Sequence, residues 1–185
     1  MSGPLVLLID LERCTGCRAC EAACKLENRL GEGVFRNRVW WVASQDGHAL
    51  EFVNAVCQQC ERPACMRVCG AEALIKDDLG VVQVDYSKCT GCQECVLACP
   101  YGAISFDPRS HHAQKCDLGA NRRTQGLPPA CVAACPGRAI DFGRRDELIA
   151  NAQASGRRVR DLDHFGLRPS TVYLETLARP LGGGA

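Results

Sequence analysis

All fifteen cysteines of this 185-residue chain fall into four short runs, so the fold must bring clustered thiols together. The first run is Cys14, Cys17, Cys20 and Cys24, and the second is Cys57, Cys60, Cys65 and Cys69. The third is Cys89, Cys92, Cys95 and Cys99, and the fourth is Cys116, Cys131 and Cys135. Cysteine at this density serves a disulfide scaffold, zinc, or iron–sulfur clusters.

The spacing separates these uses. An odd count argues against a fully paired disulfide framework. The LVLLI run at 5–9 is too short for a signal h-region and lacks a cleavage site, so no secretory signal is expected. No apolar stretch approaches the roughly 18 residues of a spanning helix, so no direct membrane span is expected. A zinc ion takes four ligands, commonly two pairs with a longer spacer. Here three cysteines at gaps of two share a loop, a fourth follows three residues on, and a proline closes the run, as in bacterial ferredoxins. CTGCQECVLACP, from Cys89 to Pro100, fits fully; CTGCRACEAAC, from Cys14 to Cys24, lacks only the proline. Three thiolates on one loop suit a cubane, touching three irons while a fourth ligand arrives from elsewhere.

Composition points the same way. Phe, Tyr and Trp total ten, a thin supply for a hydrocarbon core, so inorganic clusters are expected to nucleate the packing. The formal charge of +1 counts thiols as neutral, whereas ligating cysteines are thiolates that make the filled protein acidic round its clusters. No concentrated basic stripe with interleaved aromatics is present, which argues against a nucleic-acid partner.

The chain also repeats itself. Asp10-Leu11-Glu12-Arg13 leads into Cys14-Thr15-Gly16-Cys17 as Asp85-Tyr86-Ser87-Lys88 leads into Cys89-Thr90-Gly91-Cys92. β-prone runs at 5–9 and 81–84 precede them. Three runs exit alike: Cys69 through Ala73-Leu74, Cys99 through Ala103-Ile104, and Cys135 through Ala139-Ile140. The unit reads strand, cysteine loop, short helix carrying the last cysteine, strand. Pro100 and Pro136 stop the helix because the residue before proline leaves the helical region; Gly70 ends one by its freedom at positive φ.

Residues 26–56 read as an insertion, a hairpin of Val39 to Ala43 and Leu50 to Val53 about a turn at Asp46-Gly47. Trp40 and Trp41 point to opposite faces of a strand, either as a contact for a partner subunit or covered by the protein's own loops. Beyond Arg144, a short amphipathic helix from Asp146 to Ala154 and extended pieces at Val159 and Thr171 to Leu174 are expected to dock back. The Gly182-Gly183-Gly184 end is expected to fray.

These four motifs, in this order, resemble the four-cluster iron–sulfur electron-transfer subunits of molybdenum- and tungsten-dependent oxidoreductase complexes. That family includes the dimethyl sulfoxide reductase, polysulfide or thiosulfate reductase and formate dehydrogenase kinds, and similar small subunits accompany hydrogenases and tungsten aldehyde oxidoreductases. The resemblance runs over 5–143, and RPSTVYL at 168–174 is also typical. It implies an α+β fold of two intertwined dicluster ferredoxin-like units. Residues 1–25 and 108–143 form one (motifs one and four), 57–107 the other (motifs two and three), with the hairpin insertion at 26–56 and a C-terminal docking extension at 144–185.

In two-cluster ferredoxins the fourth cysteine of a run ligates the other cluster. By resemblance, cluster a takes Cys14, Cys17, Cys20 and Cys135, and cluster b takes Cys57, Cys60, Cys65 and Cys99. Cluster c takes Cys89, Cys92, Cys95 and Cys69, leaving Cys24, Cys116 and Cys131 for cluster d. Three sites are therefore expected to hold [4Fe-4S]. The family's fourth motif usually reads Cys-x-x-Cys, so Gly119 stands where a cysteine is expected. Site d is open to a [3Fe-4S] cluster, to a [4Fe-4S] cluster with water or an oxygen or nitrogen ligand, or to no cluster. Asp117 is a tempting ligand, and His111 and His112 are near in sequence, though surface histidines are the plainer reading.

Fully thiolate-ligated cubanes have no open iron and move single electrons. The chain has no P-loop, dinucleotide-binding fingerprint or hydrolytic triad. The expected role is a non-catalytic electron-transfer subunit beside a large catalytic redox subunit carrying molybdenum or tungsten, with a further redox subunit or carrier at the other end. A free polyferredoxin is the alternative; an enzyme acting at the three-cysteine site is a third class. The expected location is the cytoplasm, or the periplasm by co-transport with a partner.

Overall fold

The computed structural model describes residues 3–43, 50–160 and 162–175, an α+β fold of short pieces. Strand β1 (Leu5–Asp10) feeds the first cysteine loop, and α1 (Ala19–Glu27) carries Cys20 and Cys24. A hairpin follows, β2 (Asn37–Ala43) antiparallel to β3 (Leu50–Val56), with Asn37 opposite Val56 and Val39 opposite Asn54. It extends beyond the expected strands at its base, and Asp46-Gly47 lies outside the described residues. The second loop leads to α2 (Ala64–Arg67) and exits into β4 (Leu74–Lys76), paired with β5 (Val82–Val84). The third leads to α3 (Glu94–Ala98) and exits into β6 (Ile104–Asp107), paired with β7 (His112–Lys115). The fourth run spans α4 (Ala120–Arg123) and α5 (Ala130–Ala133) and exits into β8 (Ile140–Arg144). Helix α6 (Arg145–Ala154) and strands β9 (Val159–Arg160) and β10 (Val172–Leu174) complete the chain. Gly182-Gly183-Gly184 lies outside the described residues.

Helices α2, α3 and α5 span four, five and four residues, with Pro100 just past the α3 C-cap and Pro136 two residues past that of α5. The expected glycine stop of α2 is not found, since the helix ends at its Val68 C-cap and Gly70 is not at positive φ. After Cys24 comes Lys25, and α1 continues to nine residues. The expected short helix carrying the last cysteine is therefore found only in α1. Elsewhere the helix carries the preceding cysteine, and the last one is the C-cap (Cys99) or follows it (Cys69, Cys135).

The main sheet has the order β8-β1-β10-β9, with β1 antiparallel to β8 and parallel to β10. Both faces of β1 are covered, which is why its sequence is continuously apolar rather than alternating. Leu7 and Ile9 face the core that contains Cys20, Cys57, Cys116 and Cys131. Val6 and Leu8 face Leu148 and Ala152 of α6. The segment beyond residue 144 thus supplies two strands of this sheet and the helix that covers its outer face. Among the described residues no helix is long and apolar enough to cross a membrane.

Candidate metal centres

Each cysteine loop turns on the same backbone device. The residue before the second position of each Cys-x-x-Cys frame is Gly16, Gln59, Gly91 or Leu118, with φ of 68°, 47°, 71° and 56°. This left-handed step folds the loop back so that its thiols share one cavity. At Gly91 an added Cβ would strike the His111 carbonyl oxygen, and at Gly16 it would lie 2.5 Å from the Phe52 ring. A second device recurs three residues after the last cysteine, where Glu72, Gly102 and Arg138 have φ of 50°, 58° and 47°. In two exits the next amide donates back to sulfur: Ala73 N to Cys69 Sγ at 3.3 Å and Ala139 N to Cys135 Sγ at 3.2 Å.

Four nests of nearly equal size result, each a cavity of about 20 Å³. Nest a is ringed by Cys14, Cys17, Cys20 and Cys135. Nest b is ringed by Cys57, Cys60, Cys65 and Cys99, and nest c by Cys69, Cys89, Cys92 and Cys95. Nest d has Cys24, Cys116 and Cys131, with Gly119 at the fourth corner. Four thiolates on one zinc would stand about 3.8 Å apart, given Zn–S near 2.3 Å in a tetrahedron. Among the described residues no three His, Cys, Asp or Glu side chains converge to hold a single ion. The thiols ring a space suited to a polynuclear group.

The donor chemistry agrees. Burial first, and then neighbouring thiols, push Cys20, Cys60 and Cys131 up to about 12. The same causes raise Cys116 well above its usual range. Such thiols stay neutral unless a cation replaces the proton, so the nests suit metal-borne positive charge.

The nests lie in a row, a–d–b–c. Helix α1 carries Cys20 of a and Cys24 of d, and packs on α5, which carries Cys131 of d just before Cys135 of a. Helix α2 carries Cys65 of b with Cys69 of c just beyond it, and α3 carries Cys95 of c with Cys99 of b as its C-cap, joining b to c through a second helix pair. Between d and b, Gln59 Nε2 donates to the Cys116 carbonyl at 2.9 Å. Lys115, 2% exposed, lines nest b and donates its Nζ to the Cys116 carbonyl at 2.8 Å and to the Val82 carbonyl. Exposed thiols occur only at the ends of the row, Cys17 in a and Cys92 in c.

The base of the hairpin roofs two nests. Val39 and Asn54 line nest a, where Asn54 Nδ2 donates to Cys20 Sγ at 3.1 Å; Asn37 lines nest d. Beside nest d, Arg36 Nη1 donates to Asp117 Oδ2 at 2.9 Å and to Asn28 Oδ1 at 2.7 Å, and the same guanidinium reaches Gln114 and Tyr86. The other Asp117 oxygen accepts from Gly119 N at 2.9 Å and Ala120 N at 3.3 Å. Both Asp117 oxygens are engaged, so it is not poised as a ligand. His112 packs on Tyr86 and His111 on Phe106, and neither lines nest d. Sequence reading missed Arg36, Asn37, Asn54, Gln59 and Lys115. For Asn37 and Val39 a signal existed, because period-two alternation puts both on one strand face.

Four ferredoxin-type turns round four like-sized nests define a ferredoxin-like electron carrier. A 4Fe-4S dicluster domain family matches residues 48–145, and a 4Fe-4S binding domain family matches residues 5–26. The thiosulfate reductase electron transfer subunit PhsB of Salmonella typhi is 43% identical over 80% of this chain and 79% of its own. The B component of the anaerobic dimethyl sulfoxide reductase of Escherichia coli strain K12 is 40% identical over 76% of this chain and 73% of its own. The B component of the selenate reductase of Mesobacillus selenatarsenatis is 32% identical over 91% and 71%. The chain belongs to this family of iron–sulfur electron-transfer subunits.

Proposed function

We propose that the chain is the non-catalytic relay of a reductase complex, passing single electrons between a molybdenum- or tungsten-dependent catalytic partner and an external donor or acceptor. The ligands are Cys14, Cys17, Cys20 and Cys135 in nest a, and Cys57, Cys60, Cys65 and Cys99 in nest b. Nest c uses Cys69, Cys89, Cys92 and Cys95, and nest d uses Cys24, Cys116 and Cys131. Nests a, b and c take [4Fe-4S] clusters, and nest d takes [4Fe-4S] with a non-cysteine ligand or [3Fe-4S]. The observation that carries the reading is the row of four like-sized, thiol-ringed cavities with exposed thiols only at its two ends.

Bound clusters supply one-electron centres whose potentials follow cluster charge, hydrogen bonds to sulfur and exposure. The chain's own part is to hold and tune them. Asn54 Nδ2, Ala73 N and Ala139 N donate to cysteine sulfur, as does Leu118 N to Cys116 Sγ at 3.4 Å. Each such donor favours the reduced, more negative state. Lys115 places a buried cation between nests b and d. The helix pairs α1–α5 and α2–α3 support the intertwining of motif one with four and of two with three.

Trp40, 51% exposed, stands with Val42 as an apolar patch on one face of the hairpin, and Trp41, 60% exposed, stands on the other face with Leu50. Such a patch supports a docked subunit over a free shuttle. The relatives are named as components of thiosulfate, dimethyl sulfoxide and selenate reductases, which supports a catalytic partner of that kind. The location taken in this reading is the cytoplasm, or the periplasm by co-transport with a partner.

The test is anaerobic native purification with metal and sulfide analysis. A co-purifying large subunit and about fifteen or sixteen irons per chain are expected, from three cubanes and a cluster of three or four irons. Zinc on the thiols without iron overturns the cluster reading. A monomer that reduces several unrelated enzymes replaces the docked subunit with a free polyferredoxin.

A further inference from the structure

We propose that the Asn37 carboxamide completes nest d, its Oδ1 serving as ligand to the iron that has no thiolate. The inference rests on nest d holding a cluster, as proposed above, and it decides between the two cluster types left there.

Nest d lacks its fourth thiol because Gly119 stands at that corner, and Asn37 lines the same cavity as Gly119, Cys24, Cys116 and Cys131. Asn37 is 4% exposed, and both its amide atoms are buried without a hydrogen-bond partner. Buried amides are almost always paired, so one facing a cavity with both atoms free points to an occupant of that cavity. The other polar side chains lining the nest are engaged. Glu27 pairs with Arg122 at 3.6 Å, and Asn28 donates to the Cys24 carbonyl and accepts from Arg36. Arg36 and Asp117 bind each other at 2.9 Å, with the second carboxylate oxygen held by the Gly119 and Ala120 amides.

Asn37 is also held in place. Its backbone is registered against Val56 at the base of the hairpin, and the side chain of its neighbour Arg36 is fixed by Gln114, Asn28, Asp117 and Tyr86. A carboxamide oxygen is a neutral donor, which leaves Nδ2 to donate to sulfur. Exchanging a thiolate for a neutral ligand makes the site less negative, so its potential should lie above that of the same nest with four thiolates.

The test compares the full chain, purified anaerobically in its native complex, with Asn37→Leu and Asn37→Asp by iron content, EPR and Mössbauer spectroscopy. Leucine keeps the size but offers no ligand, whereas aspartate keeps the oxygen. The wild type should carry about sixteen irons, four per cubane, without a three-iron EPR signal on mild oxidation. Asn37→Leu should fall to about fifteen irons and gain that signal, while Asn37→Asp keeps the fourth iron; the reduced-state signals of the other three clusters serve as the folding control. Loss of all iron from nest d in Asn37→Leu, with retention in Asn37→Asp, supports the ligand equally. A leucine variant identical to wild type overturns the proposal, as does a wild type whose nest d is wholly three-iron, or loss of the nest's iron in both variants. About twelve irons in the wild type show instead that nest d is empty, and zinc without iron shows that the cluster reading itself has failed.

Discussion

Nest c reaches the surface through the exposed thiol of Cys92 and is lined mostly by apolar groups, among them Leu74, Val84 and Ala113. Nest d, folded on an equivalent turn, has no exposed thiol and is bordered by Arg36, Asp117, Asn28 and Asn37. The turn determines that a nest forms; the residues brought to it from elsewhere determine its ligands and its charge. An apolar end suits exchange with a partner. A buried, polar interior position, with a guanidinium beside it and Lys115 beyond, favours the more negative reduced state. The same motif therefore serves two stations of one row.

The largest effect expected from this contrast is loss of the relay. Cys116→Ser removes a ligand from a nest that already lacks a fourth thiol, and about four irons per chain should be lost if the cluster is shed. Because d lies between a and b, turnover of the native complex with an external donor should fall to background while direct dye activity of the catalytic subunit remains. Turnover that survives would break the a–d–b–c order. Second comes Arg36→Met, which strands Asp117 beside nest d. Removing one partner of a buried pair costs about 3–5 kcal/mol. Since the Asp117 side chain is 24% exposed, about 3 kcal/mol is expected. In a chain of this size that lowers Tm by roughly 6–12 °C, measured on the anaerobically purified holoprotein. No such pair borders nest c, so an unchanged Tm would remove the electrostatic half of the contrast.

Much of nest c was legible because three of its four thiols and its turn lie on one short run. Cys89 to Cys99 lie on one loop and helix and Gly91 marks the turn, while Cys69 came from the family resemblance. Nest d was legible in its thiols and in its gap at Gly119, but not in its border. Arg36 meets Asp117 across 81 positions of sequence, and nothing near Asp117 signals a cation on a strand of the insertion. Reading 26–56 as an insertion also hid its inner face, since the expected first strand began at Val39, two residues past Asn37. The exits after Cys99 and Cys135 were readable because Pro100 and Pro136 act locally. That the segment beyond residue 144 lies beside β1 was not, because β10 pairs parallel to a strand at the far end of the chain.

A smaller effect is expected at Gly119 itself. Its φ is +67°, and an added Cβ would lie 2.9 Å from Pro129 Cα, a backbone atom with little room to retreat. Gly119→Cys should therefore not simply restore a fourth thiol. It should lower stability by about 1–3 kcal/mol, the range for a non-glycine residue held left-handed. Thermal melts of the holoprotein against wild type measure this. A melt at the wild-type temperature would mean that the loop resets to the geometry Cys92 has in nest c, making c and d interchangeable in backbone.

The smallest effect on stability lies outside both nests. Trp40 is half exposed on the hairpin whose base roofs nests a and d, with Arg38 stacked 4.9 Å from its ring. Removing an exposed ring should change stability by only about 0.5 kcal/mol, so Trp40→Ser should keep its iron and its melting temperature. If the hairpin face that carries Trp40 is where the catalytic subunit sits, the variant should lose that subunit on native purification while remaining brown and folded. The outcome also bears on direction along the row. The hairpin covers a and d but not c, so a partner held by Trp40 would stand at the a end and leave nest c, with exposed Cys92, to the external donor or acceptor. Retention of the subunit by Trp40→Ser would instead make the c end the better place for the catalytic partner.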